Sequence, residues 1–140
     1  MRVAVTASVG RLAGLEERLR DAGHEAVRAP LVRTAPTADA AAAERLLGLR
    51  WRLYPSRSAV AAWVTLGLGF ADGARIGAVG PGTATDLGLA GADVALVARP
   101  ATAAGLARGL LRHPEGPRPG DAVGIVQGDR ARSTLAETLE

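Results

Sequence analysis

Apolar residues follow two alternating patterns along this chain. Short apolar runs bounded by glycine, proline or polar residues have the length of buried strands, and they cover residues 2–6, 25–29, 51–54, 75–79, 94–98 and 123–127. Between them, apolar residues recur at helical spacing, as at Leu12, Leu15, Leu19 and Ala22. This spacing predicts helices over 12–22, 37–49, 103–112 and 131–140, with two more between residues 56 and 91.

Strands that alternate with helices of this length are typical of βαβ units. The chain is therefore predicted to be an α/β protein with a mostly parallel sheet. Its main domain should be a three-layer domain like those of the flavodoxin and Rossmann folds, with helices on both faces of the sheet.

The two central helices have recognisable start signals. Ser56 or Ser58 can cap the first of them, and its inner face is expected to carry Val60, Trp63 and Val64. The second follows a Gly-Pro-Gly turn, and Thr83 with Asp86 three positions later resembles a capping box.

The composition excludes several kinds of catalytic site. All 17 basic residues are arginine, so lysine Schiff bases and Walker-type phosphate lysines are absent. The chain has no cysteine, which removes disulfides, thiolate catalysis and cysteine metal sites. His24 and His113 lie far apart without neighbours at metal-ligand spacing, and both are interpreted as ordinary surface residues.

Charge and hydropathy bear on partners and location. The net charge is only +3 and the arginines are scattered, so no nucleic-acid partner is expected. The N-terminal apolar run is too short for a signal peptide, and no run of 18 apolar residues exists. A cytoplasmic protein without a membrane partner is predicted.

Three strand-to-helix turns are candidate anion sites. In a parallel sheet these turns lie at the carboxyl ends of the strands, where backbone N–H groups and helix N-termini favour phosphates or carboxylates. Gly82 would allow close approach of a ligand, Thr83 could contact it, and Arg130 or Arg132 could pair with it. The turns are Thr6-Ala7-Ser8, Gly80-Pro81-Gly82-Thr83 and Gly128-Asp129-Arg130.

Known phosphate and nucleophile motifs do not fit these turns. The sequence GPGTAT lacks the third glycine of a dinucleotide fingerprint, and no G-x-S-x-G elbow is present. Ser56 could be only a helix cap, Thr83 could combine capping with ligand contact, and Asp129 could be only a turn residue. The residues alone leave these alternatives open.

Taken in order, the motifs resemble those of the uroporphyrinogen-III synthase family. They include an opening strand that ends in threonine, a serine-containing turn before a helix, a VGxxTAxxLxxxG segment and a final GDxARxxL segment. The corresponding stretches here are Val5-Thr6, Leu19–Gly23, Pro30–Val32, Tyr54–Val60, Val79–Gly91, Pro100–Leu106 and Gly128–Leu135 with Leu139. The resemblance covers nearly the whole chain.

The resemblance implies an enzyme, a hydro-lyase of tetrapyrrole and heme biosynthesis. It would convert the linear tetrapyrrole hydroxymethylbilane to uroporphyrinogen III, with loss of water, ring closure and inversion of ring D. No cofactor or metal is implied, and full-length members are usually monomeric. The family has two α/β domains with the substrate between them. The substrate-binding residues implied here are Thr6, Ser56, Ser58, Gly80, Pro81, Gly82, Thr83, Gly128 and Arg130.

Some features depart from the family pattern. Family members are longer, so residues 1–35 would be the opening segment of domain 1, whose returning half is absent, and residues 36–140 would be domain 2. Pro55 and Arg57 replace a usual threonine and proline. A truncated chain with an uncovered apolar face is expected to self-associate.

Two other functions remain open at this point. A non-catalytic α/β module derived from the family could hold an anionic ligand on the same turns. A nucleotide-binding regulator is a third possibility.

Overall fold

The structure is a computed structural model that describes residues 1–7, 12, 14–31, 35, 40–70, 73–128 and 133–140. The chain divides into two compact units, Met1–Ala35 and Pro36–Glu140. Each unit is built from parallel strands joined through helices. The predicted α/β class is therefore confirmed.

The first unit is a small βαβ arrangement. Strand β1 (Arg2–Val5) pairs in parallel with β2 (Glu25–Arg28), and helix α1 (Leu15–Asp21) connects them. Gly23 ends the connection with a φ of 79°, a conformation that favours glycine. Among the described residues of this unit, Val5 is the one hydrophobic side chain that is fully buried.

The second unit is built on a four-stranded parallel sheet in the order β5-β4-β3-β6. Chain order and spatial order differ because β6 pairs with β3 on the side opposite β4. Its elements are α2 (Ala40–Glu44), β3 (Trp51–Tyr54), α3 (Arg57–Thr65), β4 (Arg75–Ala78), α4 (Pro81–Leu89), β5 (Val94–Val97), α5 (Ala103–Arg112), β6 (Val123–Ile125) and α6 (Thr134–Leu139).

Helices cover both faces of this sheet and give it three layers. One hydrophobic cluster joins Tyr54 on β3 to α3 and α4 through Val60, Trp63 and Leu87. The other joins the opposite side of β3 to α5 and α6. Strand β3 is buried throughout because its alternating side chains enter both clusters.

Strand β3 carries one charged side chain into the interior. Arg52 is fully buried, and its guanidinium carbon lies 4.5 Å from the ring centroid of Trp63 and 5.9 Å from that of Phe70. Both distances are within the range of cation–π attraction.

Several boundaries differ from the sequence-based expectations. The helix predicted over 37–49 ends earlier in the structure, where it covers Ala40–Glu44 and is followed by turns. Residues 36–39 lie outside the described part. Val64 was expected to face inward, but 49% of its surface is exposed, so that prediction is wrong. Val60 and Trp63 are buried as predicted.

Candidate functional site

The candidate site lies at the edge of the four-stranded sheet where its strands end, called here the carboxyl edge. Strands β3, β4 and β5 each lead at this edge into a helix, namely α3, α4 and α5. The first N–H groups of a helix have no partner within the helix and carry partial positive charge. This edge is therefore suited to bind anions.

The turn after β3 is fixed by a helix cap. Ser56 is extended, with φ −162° and ψ 159°, and its Oγ accepts a hydrogen bond of 3.1 Å from the N–H of Ala59. Ser58 lies two residues further along, inside α3. Ser56, and not Ser58, is therefore the N-cap of α3.

The turn after β4 is tightly packed. Gly80 is buried and precedes α4, whose first residue is Pro81. A Cβ atom on Gly80 would lie only 2.9 Å from the Cβ of Ala101 in the turn after β5. The absence of a side chain at Gly80 therefore allows the two neighbouring turns to touch.

Helix α4 presents two backbone donors at its start. Its first intrahelical bond runs from the N–H of Ala84 to the carbonyl oxygen of Gly80, at 3.0 Å. The N–H groups of Gly82 and Thr83 precede that bond in the helix, and Pro81 has no N–H group. Pro81 and Gly82 are exposed, so this helix start faces the solvent.

Thr83 does not cap the helix. Gly80 occupies the cap position, and Thr83 is the third helical residue, with only 4% of its surface exposed. The capping-box prediction for Thr83 and Asp86 is therefore wrong. Proline favours the first helical position because its fixed φ suits a helix and its missing N–H would have no partner there. Pro81 thus starts the helix two residues before Thr83.

Asp86 forms an ion pair with Arg57 instead. Arg57 Nε donates to Asp86 Oδ2 at 2.6 Å and Nη2 donates to Oδ1 at 2.8 Å, a bidentate arrangement between α3 and α4. Hydrogen bonding to Arg57 lowers the pKa of the Asp86 carboxyl group, while the same pair raises the pKa of Arg57. The carboxylate is consequently held in its charged form, which does not suit it to donate a proton.

Part of the predicted site comes together at the carboxyl edge, since β3 and β4 are hydrogen-bonded neighbours. Six of the predicted residues follow directly on these two strands: Ser56, Ser58, Gly80, Pro81, Gly82 and Thr83.

The other predicted residues are placed differently. Gly128 lies beyond the end of β6 and is exposed. Thr6 follows β1 in the first unit, where its carbonyl oxygen accepts a hydrogen bond from the N–H of Leu31 at 3.2 Å. Arg130 lies outside the described residues, as do Ser8, Asp129 and Arg132.

The sequence did not predict two of the contacts that the structure shows. The Arg57–Asp86 pair joins residues 29 positions apart, and no local pattern marks such a pair. His113 is half-buried rather than an ordinary surface residue, because its ring lies edge-on to Trp51 with centroids 5.0 Å apart. This second contact is at the opposite end of β3 from the carboxyl edge.

The described residues form neither a metal-binding cluster nor a membrane-spanning helix. Within the described ranges, no three histidine, cysteine, aspartate or glutamate side chains cluster closely enough to hold a metal ion. Across the same residues, no helix has the length and hydrophobicity needed to span a membrane.

This chain is similar to known proteins in both sequence and fold. The family described as uroporphyrinogen-III synthase HemD matches residues 13–140. A crystal structure of native uroporphyrinogen III synthase from the extremely thermophilic bacterium Thermus thermophilus aligns with a TM-score of 0.56 and 21% identity, over 99% of this chain and 56% of that one. A selenomethionine derivative of a mutant of that enzyme gives a TM-score of 0.63 and 19% identity, with the same coverage.

These alignments show that the fold is shared. This chain spans 56% of the length of both solved structures. No curated protein sequence matches it significantly.

Proposed function

This chain belongs to the uroporphyrinogen-III synthase family, and we propose that it acts in the conversion of hydroxymethylbilane to uroporphyrinogen III. In that reaction the linear tetrapyrrole loses water, ring D is inverted and the macrocycle closes. The family match over residues 13–140 is the observation that carries the proposal. We place the reaction in the cytoplasm, with a single small-molecule substrate and no cofactor.

The carboxyl edge supplies groups suited to this substrate. Its acetate and propionate side chains are carboxylates, which helix N-termini and backbone N–H groups attract. In the proposed site, the N–H groups of Gly82 and Thr83 hold one carboxylate. Ser56 and Ser58, which follow β3, are proposed as further contacts to the substrate. Gly128, which follows β6, is proposed as another.

Thr6 and Arg130 are proposed contacts from two other turns. On this proposal, residues 1–35 open one domain and residues 36–140 form the second. The chemistry then depends on holding a flexible substrate in the geometry that lets ring D close in inverted form.

Turnover is tested by product analysis. Hydroxymethylbilane generated enzymatically is incubated with the chain, and the oxidised products are separated into type I and type III isomers. The proposal predicts type III product above the level of a heat-denatured control. Type I alone, which forms spontaneously, would show that this chain does not catalyse the reaction.

Binding is tested separately from catalysis. If the chain is instead a non-catalytic module derived from the family, it would bind the ligand without converting it. Uroporphyrin III is titrated into the protein by calorimetry. Ser56→Ala should weaken binding, whereas Thr102→Ala should not. Thr102 is a matched control because its Oγ caps α5 in the same way, accepting from the N–H of Gly105 at 3.0 Å. Equal affinities would remove Ser56 from the site.

A further inference from the structure

Arg57 is held in a defined orientation although its side chain is exposed. It is the first residue of α3, and 63% of its side chain is accessible, yet both oxygens of Asp86 bind its guanidinium group. Only its Nε and one Nη2 hydrogen are needed for this fork, so the Nη1 side of the group still offers donors. The arginine therefore keeps the capacity to bind a second carboxylate.

The side chain crosses the start of α4. The Cδ atom of Arg57 lies 3.7 Å from the position that a Cβ on Gly82 would take. A Cβ atom at that distance would be in ordinary van der Waals contact with the arginine stem. The stem of Arg57 thus runs directly beside the helix start that carries the Gly82 and Thr83 N–H groups.

Packing between α3 and α4 does not depend on this ion pair. Val60, Trp63 and Leu87 lie in one buried cluster that joins the two helices. An exposed ion pair generally adds little to stability, because solvent screens the charges and ordering the side chains costs entropy. The hydrophobic cluster, and not the ion pair, therefore holds the two helices together.

We propose that Arg57 binds a carboxylate of the tetrapyrrole at the carboxyl edge, and that Asp86 is the positioning residue that orients it. This inference rests on the proposed function, whose site it extends by one cationic contact. Arginine pairs with carboxylates through two parallel hydrogen bonds, so an oriented guanidinium selects such a group more strongly than a mobile one.

The test measures uroporphyrin III affinity by calorimetry and thermal stability by circular dichroism. Arg57→Ala should weaken binding by about tenfold or more, as expected for a hydrogen-bonded charge. Asp86→Asn should weaken it less, since the arginine stays but loses its orientation. Arg112→Ala, at the end of α5, is the matched arginine control and should bind like the wild type.

A charge-swapped variant separates binding from structure. Combining Arg57→Asp with Asp86→Arg keeps an ion pair between the helices but moves the cation away from α3. Thermal stability should equal that of the wild type, while affinity for uroporphyrin III stays low. If the wild type binds and all these variants bind equally well, Arg57 has no ligand role although the proposed function stands. If the wild type does not bind, the proposed function and this inference both fail.

Discussion

The missing side chain of Gly80 determines how closely two turns of the carboxyl edge approach. Because a Cβ there would lie 2.9 Å from the Cβ of Ala101, Gly80→Ala must push the turns after β4 and β5 apart. We expect a loss of about 1–3 kcal/mol in the free energy of unfolding, as for other overpacked sites. Urea unfolding followed by tryptophan fluorescence measures it.

Gly88→Ala is the control for this substitution. Gly88 lies in the same helix, and no atom outside its helix neighbourhood is within 4 Å of the position of its added Cβ. Alanine should stabilise that position by up to about 1 kcal/mol, because it restricts the unfolded chain and favours the helix. Similar losses at both sites would contradict the close approach at Gly80.

The buried Arg52 provides a second residue-scale prediction. Its side chain packs against Trp63 at the centre of the sheet, so Arg52→Ala removes both the stem and the cation–π contact. We expect a loss of about 2–5 kcal/mol, comparable to other large-to-small core substitutions. Arg52→Met should lose less, because methionine keeps most of the stem volume. Equal effects of alanine and methionine, measured by urea unfolding, would show that packing of the stem is unimportant.

For single residues, the sequence predicted which residues lie in the turns better than it predicted what each side chain does there. Ser56 was correctly named as one of two possible caps, and its Oγ hydrogen bond decides between them. Thr83 was wrongly named as a cap, because its local pattern was considered without the stronger preference of Pro81 for a helix start. The burial of Arg52 could not be predicted, since an arginine within a strand is ordinarily exposed. The ligand contacts assigned to these turns remain predictions.

A pH-sensitive ion pair joins Arg57 at the start of α3 to Asp86 in the second half of α4. Arg57 lowers the pKa of Asp86 in the folded state, so between the folded and unfolded pKa values the unfolded chain binds more protons. The contribution of the pair is therefore complete above about pH 4 and is lost as the pH falls through the folded pKa. The stability difference between wild type and Asp86→Asn should be constant near neutral pH and shrink in acid.

The same comparison in an Arg57→Ala background is the control. Without the guanidinium, the cause of the lowered pKa is gone, so the acid-dependent part of the difference should disappear. Urea midpoints across an acid pH series measure both comparisons. An unchanged pH dependence in that background would assign the shift to another group.

Element boundaries were predictable where burial dominates. Strand β3 was predicted with the bounds it has, Trp51–Tyr54, because both of its faces are buried. Helix α2 ends earlier than predicted because its last turn tightens: Leu46 and Leu47 donate to carbonyl groups three residues earlier. Gly48 then adopts a φ of 81°, which helical periodicity alone does not reveal.

The two units of the molecule should differ in stability. Both large hydrophobic clusters lie within Pro36–Glu140, whereas Val5 is the one fully buried hydrophobic residue among the described residues of Met1–Ala35. A two-stranded sheet with one helix buries too little apolar surface to be stable by itself. We predict that residues 36–140 expressed alone unfold cooperatively, as monitored by the fluorescence of Trp51 and Trp63.

Hydrogen exchange gives an independent check. Amides of β1 and β2 should exchange faster than those of β3 and β4 in the intact chain. Equal protection in both units, or loss of cooperative unfolding in 36–140, would contradict this difference.

Self-association remains a prediction for the intact chain. In the first unit Leu15 and Leu19 are half-buried, while Leu12 and Leu31 are exposed to 57% and 79%. Exposed apolar side chains favour association. Sedimentation velocity over a range of concentrations should show it, and a monodisperse monomer at high concentration would contradict it.

At the scale of the whole molecule, the sequence predicted the class of fold but not its strand order. Alternating strands and helices indicated a parallel α/β sheet, and the family resemblance drawn from the ordered motifs is confirmed by the match over residues 13–140. The order β5-β4-β3-β6 depends on pairing between β3 and β6, which are about half the chain apart. Periodicity carries no information about such distant partners.

The position of β6 also matters while the chain is being synthesised. Strands β3, β4 and β5 are neighbours in the sheet in the order in which they leave the ribosome, so they can pair as they emerge. Strand β6 is made later, and until Val123–Ile125 arrives one side of β3 has unpaired N–H and C=O groups. Such an edge readily recruits strands from other chains. The strand that finally lies inside the sheet thus begins as an aggregation-prone edge, and it stays exposed until the segment that contains β6 has been synthesised.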